Sequence, residues 1–238
     1  MNSARHVIKQ LKVASSAQRA KGLARFFKTG PGEYGEGDVF LGVTVPQIRM
    51  IVKADRDLDL CEVEKLLASK FHEARMAALL FLVEKTKNAP LATRKKIFEF
   101  YLGQRSRINN WDLVDLSAPA VAGEYLLVAP RAKTVLKKLA QEKSMWSRRI
   151  AILATFAFIR ARRFSEPLAL AKKYLSDKED LMHKATGWML REAGKRDVKT
   201  LKDFLERHAP VMPRTMLRYA IEKFSPRERV YYMRRRSG

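Results

Sequence analysis

A single cysteine, Cys61, stands in a chain of 238 residues. It excludes an intrachain disulfide and a thiolate metal cluster, and a reducing compartment is the simple reading. Histidine is also sparse. His6, His72, His183 and His208 are scattered without metal-ligand spacing, and each reads as an ordinary helix-surface or boundary residue. No metal and no cofactor are therefore expected. No long apolar run follows the basic residues at the N-terminus, and no later segment approaches a membrane span. A cytoplasmic protein with no membrane partner is expected. Long alternating β patterns are missing, which points away from sheet folds.

Acidic residues are the other shortage. Asp and Glu number 25 against 48 Lys and Arg, a formal net charge of +23 with a sequence pI near 10.3. The excess is uneven: residues 1–130 carry 20 bases and 14 acids, residues 131–238 carry 28 and 11. A basic surplus this large and this concentrated favours a polyanionic partner, with nucleic acid ahead of a merely basic protein. A hydrophobic content of 47% over this length can bury a sizeable core. We read one α-helical domain over 1–238, ending in a short basic tail at 234–238, and expect a monomer.

The pattern is helical nearly throughout. Runs at 4–12 and 17–27 precede a glycine-rich stretch, Gly30 to Gly37, which lacks a Walker lysine, follows no strand and carries two glutamates that would repel phosphate; it reads as a mobile connector. Thr44 can cap, and Pro46 fits the first turn of a helix reaching about residue 54. After an acidic linker at 55–59, helices are predicted at 60–69, 72–87 and 90–103. A central segment at 110–127 is broken or kinked by Pro119. Further helices follow at 131–142, 146–161, 165–175, 179–194, 198–208, 213–224 and 226–234.

These helices pair, and the pairs look related. Ala74-Arg75-Met76-Ala77-Ala78-Leu79, Arg148-Arg149-Ile150-Ala151-Ile152-Leu153 and His183-Lys184-Ala185-Thr186-Gly187-Trp188 are variations on one pattern, and Asn110-Trp111-Asp112 falls in the same series. Positions 75, 110, 149 and 184 recur at the period of a helical-pair repeat of HEAT type. Such pairs bury their apolar faces only by stacking, which predicts an all-α, right-handed solenoid. Its concave face would be a basic groove lined by Arg75, Arg149 and Lys184, with Trp111, Asp115 and Trp188 close by.

The centre of the series is Asn109-Asn110-Trp111-Asp112-Leu113-Val114-Asp115. On a helix Trp111 and Asp115 share a face, which sets an aromatic plate beside a carboxylate. Spacing alone equally fits a capped helix start, with Trp111 packing and the acids in the first turn. Trp188 alone reads as a core aromatic, Arg149 as a solvated face residue, and Arg191 as a partner of Glu192 or of a neighbouring helix.

Taken together, four stretches resemble the AlkD-type family of DNA alkylation-repair glycosylases. They are Phe40-Leu41-Gly42-Val43 with Pro46, Trp111-Asp112-Leu113-Val114-Asp115 with Pro119, Trp146-Ser147-Arg148-Arg149-Ile150-Ala151-Ile152-Leu153, and Lys184-Ala185-Thr186-Gly187-Trp188-Met189-Leu190-Arg191-Glu192. They keep the family's order across about residues 15–225. The resemblance implies a HEAT-like solenoid that holds duplex DNA and excises positively charged alkylated purines such as 3-methyladenine and 7-methylguanine. It puts the catalytic carboxylate at Asp115, the sugar-contacting tryptophans at Trp111 and Trp188, and a phosphate-contacting arginine at Arg149. Arg148, Lys184, Arg75 and Arg191 are further candidates for DNA contact. The chain departs from the family member compared at Asn110, where that protein has a tryptophan.

The residue types suit the reaction. A purine alkylated at N3 or N7 already carries a positive charge and leaves without a general acid, and no second carboxylate is paired with Asp115 for that task. Charge develops on the deoxyribose as an oxocarbenium ion. A fixed carboxylate stabilises it and can orient the attacking water. Tryptophan faces favour the cationic sugar, and an arginine fork suits phosphate. Two other readings stand beside this one: a non-catalytic HEAT-like module for damaged or unusual DNA, and a scaffold for an acidic protein.

Overall fold

The computed structural model describes residues 3–55 and 57–235. The basic tail expected at 234–238 therefore lies, beyond Arg235, outside the described residues, as does position 56 of the acidic linker. The all-α class is as expected. Among the described residues no strand forms, and the one β-bridge joins Val39 to Phe71.

The chain falls into two compact units, one ending at Ser117 and one starting at Ala118. The first holds α1 (Ala4–Val13), α2 (Ala17–Phe26), α3 (Val45–Ala54), α4 (Leu60–Leu67), α5 (His72–Thr86), α6 (Leu91–Gly103) and the start of α7 (Trp111–Ala118). Its centre is α5. Leu79, Leu80, Phe81 and Leu82 are all buried on successive faces, the mark of a helix enclosed on every side. Helices α1, α3, α4 and α6 pack around it.

Local signals set the boundaries. Ser3 and Ser16 accept from the backbone N–H groups of His6 and Arg19 and start α1 and α2. The Thr44 N–H donates to Gln47 Oε1 at 3.0 Å, and Pro46 sits in the first turn of α3. The motif Phe40-Leu41-Gly42-Val43 is a loop folded over α5. The backbone N–H groups of Leu41, Gly42 and Val43 all donate to the buried Glu73 carboxylate, at 2.7–3.3 Å. Gly42 is required there. Its φ is +80°, and a Cβ would come within 2.2 Å of the Ser16 carbonyl oxygen.

The second unit opens with a π-helical turn at Pro119–Gly123, followed by α8 (Glu124–Val128). Pro119 thus widens a turn where a break or kink is expected. Then come α9 (Ala132–Leu139), α10 (Met145–Arg160), α11 (Ser165–Lys173), α12 (Asp180–Arg196), α13 (Val198–His208), α14 (Arg214–Ala220) and α15 (Pro226–Arg234). Successive helices pack as pairs, α10 with α11 and α12 with α13, and α10 also packs on α12. Helix α10 is buried on successive faces from Arg149 to Thr155, as α5 is in the first unit. Three of the four recurring positions fall near helix starts, 75 as the fourth residue of α5 and 149 and 184 as the fifth of α10 and α12, whereas 110 lies just before α7.

Candidate functional site

The first unit contains a cleft of about 410 Å³, within the range of small-molecule sites. Trp111 and Asp115 both line it, four residues apart on α7. The opposite wall comes from the end of α2 and the residue after it. Phe27 stacks on Trp111 at 5.1 Å between ring centroids, and the exposed Phe26 meets Trp111 edge-on at 6.0 Å. Phe27 also stacks on Phe40 at 5.0 Å, and Phe40 on the His72 ring at 4.6 Å. Phe27 touches the His72 ring directly as well, at 5.2 Å, so Phe27, Phe40 and His72 form a triangle of rings with Trp111 stacked on its Phe27 corner. Asp115 acts on its surroundings as a charge: burial holds the Tyr101 phenol above its ordinary range, and the nearby Asp115 carboxylate raises it further.

The His72 ring of this cluster belongs to a buried network of charges. The His72 ring donates through Nδ1 to Asp38 at 2.9 Å and through Nε2 to Asp112 at 2.8 Å. Asp38 also accepts from Asn110 Nδ2 at 2.9 Å and forms an ion pair with Arg75. Asn110 Oδ1 in turn accepts the Trp111 N–H at 2.8 Å. Burial works against the His72 charge, but the hydrogen bonds and charges of Asp112 and Asp38 outweigh it and hold the imidazole pKa at about 8. Burial likewise opposes the charge on Asp38, yet His72, Arg75 and Asn110 bring its pKa down to about 2. Near neutral pH the group is an alternation of carboxylate and cation.

The expectation that His72 is an ordinary surface or boundary residue is therefore wrong: it is 1% exposed and joins three segments. No sequence signal ties it to Asp38, which closes the glycine-rich stretch 34 residues earlier. That stretch folds on itself, Glu33 accepting from the Gly30 N–H and Glu36 from the Gly32 N–H. Arg75 is buried and engaged by Asp38.

In the second unit, Trp188 lies on α12, half-buried beside Phe156 with 6.3 Å between centroids. Burial disfavours charge on Glu192, but Lys195, Arg196 and Trp188 outweigh it and keep the carboxyl below its ordinary range. The glycine before Trp188 is structural, since a Cβ at Gly187 would meet the Met216 carbonyl oxygen at 2.4 Å. Arg149 is buried on α10 and donates to the Leu181 carbonyl. Arg148 pairs with Asp177 at 2.8 Å and donates to the carbonyls of Glu142 and Lys143. Lys184 pairs with Asp180 one turn away, and Arg191 with Glu222.

A family model described as DNA alkylation repair enzyme matches residues 7–224, and the chain belongs to that family, whose partner is DNA. Among solved structures it is similar to a protein described as a predicted DNA alkylation repair enzyme from Enterococcus faecalis. The TM-score is 0.71 at 16% identity, over 89% of this chain and 97% of that one, a likeness of fold. No curated protein matches the chain. No helix among the described residues is long and apolar enough to cross a membrane.

Proposed function

We propose that the protein is a monofunctional DNA glycosylase that hydrolyses the N-glycosidic bond of cationic alkylated purines, 3-methyladenine and 7-methylguanine, in duplex DNA. The observation that carries this reading is the pairing of Trp111 with Asp115 on one wall of the cleft. As the glycosidic bond lengthens, the sugar becomes an oxocarbenium ion. Asp115 stabilises that charge and orients the water that adds to the anomeric carbon, taking its proton. The face of Trp111 favours the cationic sugar by about 0.5–2 kcal/mol. The base departs with the electron pair of the broken bond, which neutralises its positive charge, so no protonating acid is needed.

Trp188 is assigned to the deoxyribose as a second aromatic surface. Arg149, Arg148, Lys184 and Arg191 are assigned to phosphates, which requires exchange of their present partners for the backbone. Arg75 serves through its pairing with Asp38. A monomer acting in the cytoplasm fits this chemistry.

The test is release of methylated bases from methylated duplex DNA by the wild-type chain and by Asp115→Asn. The variant keeps shape and loses charge. Excision should fall by roughly 10²-fold or more, with DNA binding retained. Wild-type excision by Asp115→Asn would remove Asp115 from the reaction. Binding without excision by the wild type would leave a non-catalytic reader of damaged DNA.

A further inference from the structure

We infer that His72 is a positioning residue, fixing the first turn of α7 and with it the orientation of Trp111 and Asp115. The inference rests on the role given to Asp115 above. Two independent routes lead from the His72 ring to that turn. One is polar: His72 Nε2 to Asp112, whose other oxygen accepts the Leu113 N–H at 2.8 Å. The other is ring packing: Phe27 touches the His72 ring at 5.2 Å, braced by Phe40, and stacks on Trp111. Both His72 contacts to carboxylates need an N–H, so both require the doubly protonated ring.

The two carboxylates differ in what else holds them. Asp38 has Arg75 and Asn110 besides His72. Asp112 has His72 and the adjacent Leu113 N–H. When the ring loses a proton, Asp38 keeps two strong donors, so the neutral tautomer that leaves Asp112 unmatched is the less costly one. The loosened group then sits on α7, between Trp111 and Asp115 in sequence and in the wall of the same cleft. The other charged groups lining the cleft are Arg49 on α3, Glu73 on α5 and Asp115 itself. Glu73 is engaged by the backbone of residues 41–43 and does not compete for the ring.

The experiment follows single-turnover release of 3-methyladenine from duplex DNA by the full chain between pH 6 and 9.5. The wild-type rate should decline through a pKa of about 8, the value at which His72 is held. At pH 7, His72→Gln should slow the bound complex by about tenfold or more while leaving DNA affinity within about threefold, the mark of misplacement rather than lost binding. It should also abolish the decline at alkaline pH. Should His72→Gln fail to fold, Asp112→Asn tests the same link and should lower the rate in the same direction.

A second readout does not depend on activity. In a Trp146→Phe, Trp188→Phe background, the emission of Trp111 should titrate near pH 8 and lose that transition with His72→Gln. A wild-type rate flat through this range, or a Trp111 emission that does not titrate, overturns the inference. A wild-type chain that releases no base but whose Trp111 emission titrates refutes the glycosylase reading and leaves the positioning intact.

Discussion

Removing the Glu73 side chain should take away a large part of the stability of the first unit. The Glu73 carboxylate, 2% exposed, is the acceptor for the N–H groups of Leu41, Gly42 and Val43. In Glu73→Ala no acceptor replaces it. Gly42 and Val43 are buried and Leu41 is half-buried. An orphaned buried donor costs about 1–3 kcal/mol. Two such groups and a smaller share for Leu41 give a loss of about 3–6 kcal/mol, comparable with the whole stability of a small folded unit, about 5–15 kcal/mol. Glu73→Gln is the control. Its amide oxygen can occupy the Oε1 site that serves all three N–H groups, so the loss is that of charge assistance, about 1–2 kcal/mol. Urea unfolding followed by circular dichroism measures both. A Glu73→Ala loss under about 1 kcal/mol would mean that the loop finds other acceptors, and the account of the 40–43 motif would fail.

Other expectations follow from the same contacts. His72 has a folded pKa of about 8 against an ordinary 6.5, so its contribution of about 2 kcal/mol is complete below pH 6.5 and is lost as pH rises through 8. Burial of His208 lowers its pKa and works in the opposite sense, so the quantity to follow is the difference in unfolding free energy between wild type and His72→Gln across pH 6–9.5; parallel curves would refute the assignment. Gly42→Ala, at a φ of +80° and against the Ser16 carbonyl, should be destabilised by more than the ~1 kcal/mol typical of a point change, which a lowered melting temperature would record. Affinity for duplex DNA should fall on the order of 10³-fold between 50 and 200 mM salt if about six phosphates are neutralised; a flat response would exclude a phosphate-binding surface. Uracil in the same duplex should not be released, because the protonated acid in the cleft wall, His72, has both N–H groups committed to Asp38 and Asp112; release at the rate of 7-methylguanine would reveal an acid.

The helices were legible because their causes are local. Thr44, Pro46 and Gln47 announce the start of α3, and the apolar residues of α5 and α10 form unbroken runs. The Trp111–Asp115 pair could be read from a spacing of four. The aromatic wall could not, because Phe26 and Phe27 end an otherwise unremarked amphipathic helix and meet Trp111 only in the fold. The same holds for Asp38, which closes a glycine-rich stretch that resembles a connector. Its partners at 72, 75 and 110 lie 34 or more residues away, and nothing in a single sequence links a carboxylate to a distant imidazole.

Asn110 also bears on how this chain could have diverged from its relatives. A buried asparagine there gives Asp38 a donor and gives the Trp111 N–H an acceptor at once. An indole has one N–H and no acceptor, so a tryptophan at 110 would leave the Trp111 N–H unmatched and would need a far larger space. Positions 38 and 110 should therefore drift together: where a relative carries tryptophan at the second, the first should seldom be aspartate. A single substitution in either direction passes through a protein with a buried group unpaired, so the exchange is expected as a pair of changes or alongside a shift of the loop that carries residue 38.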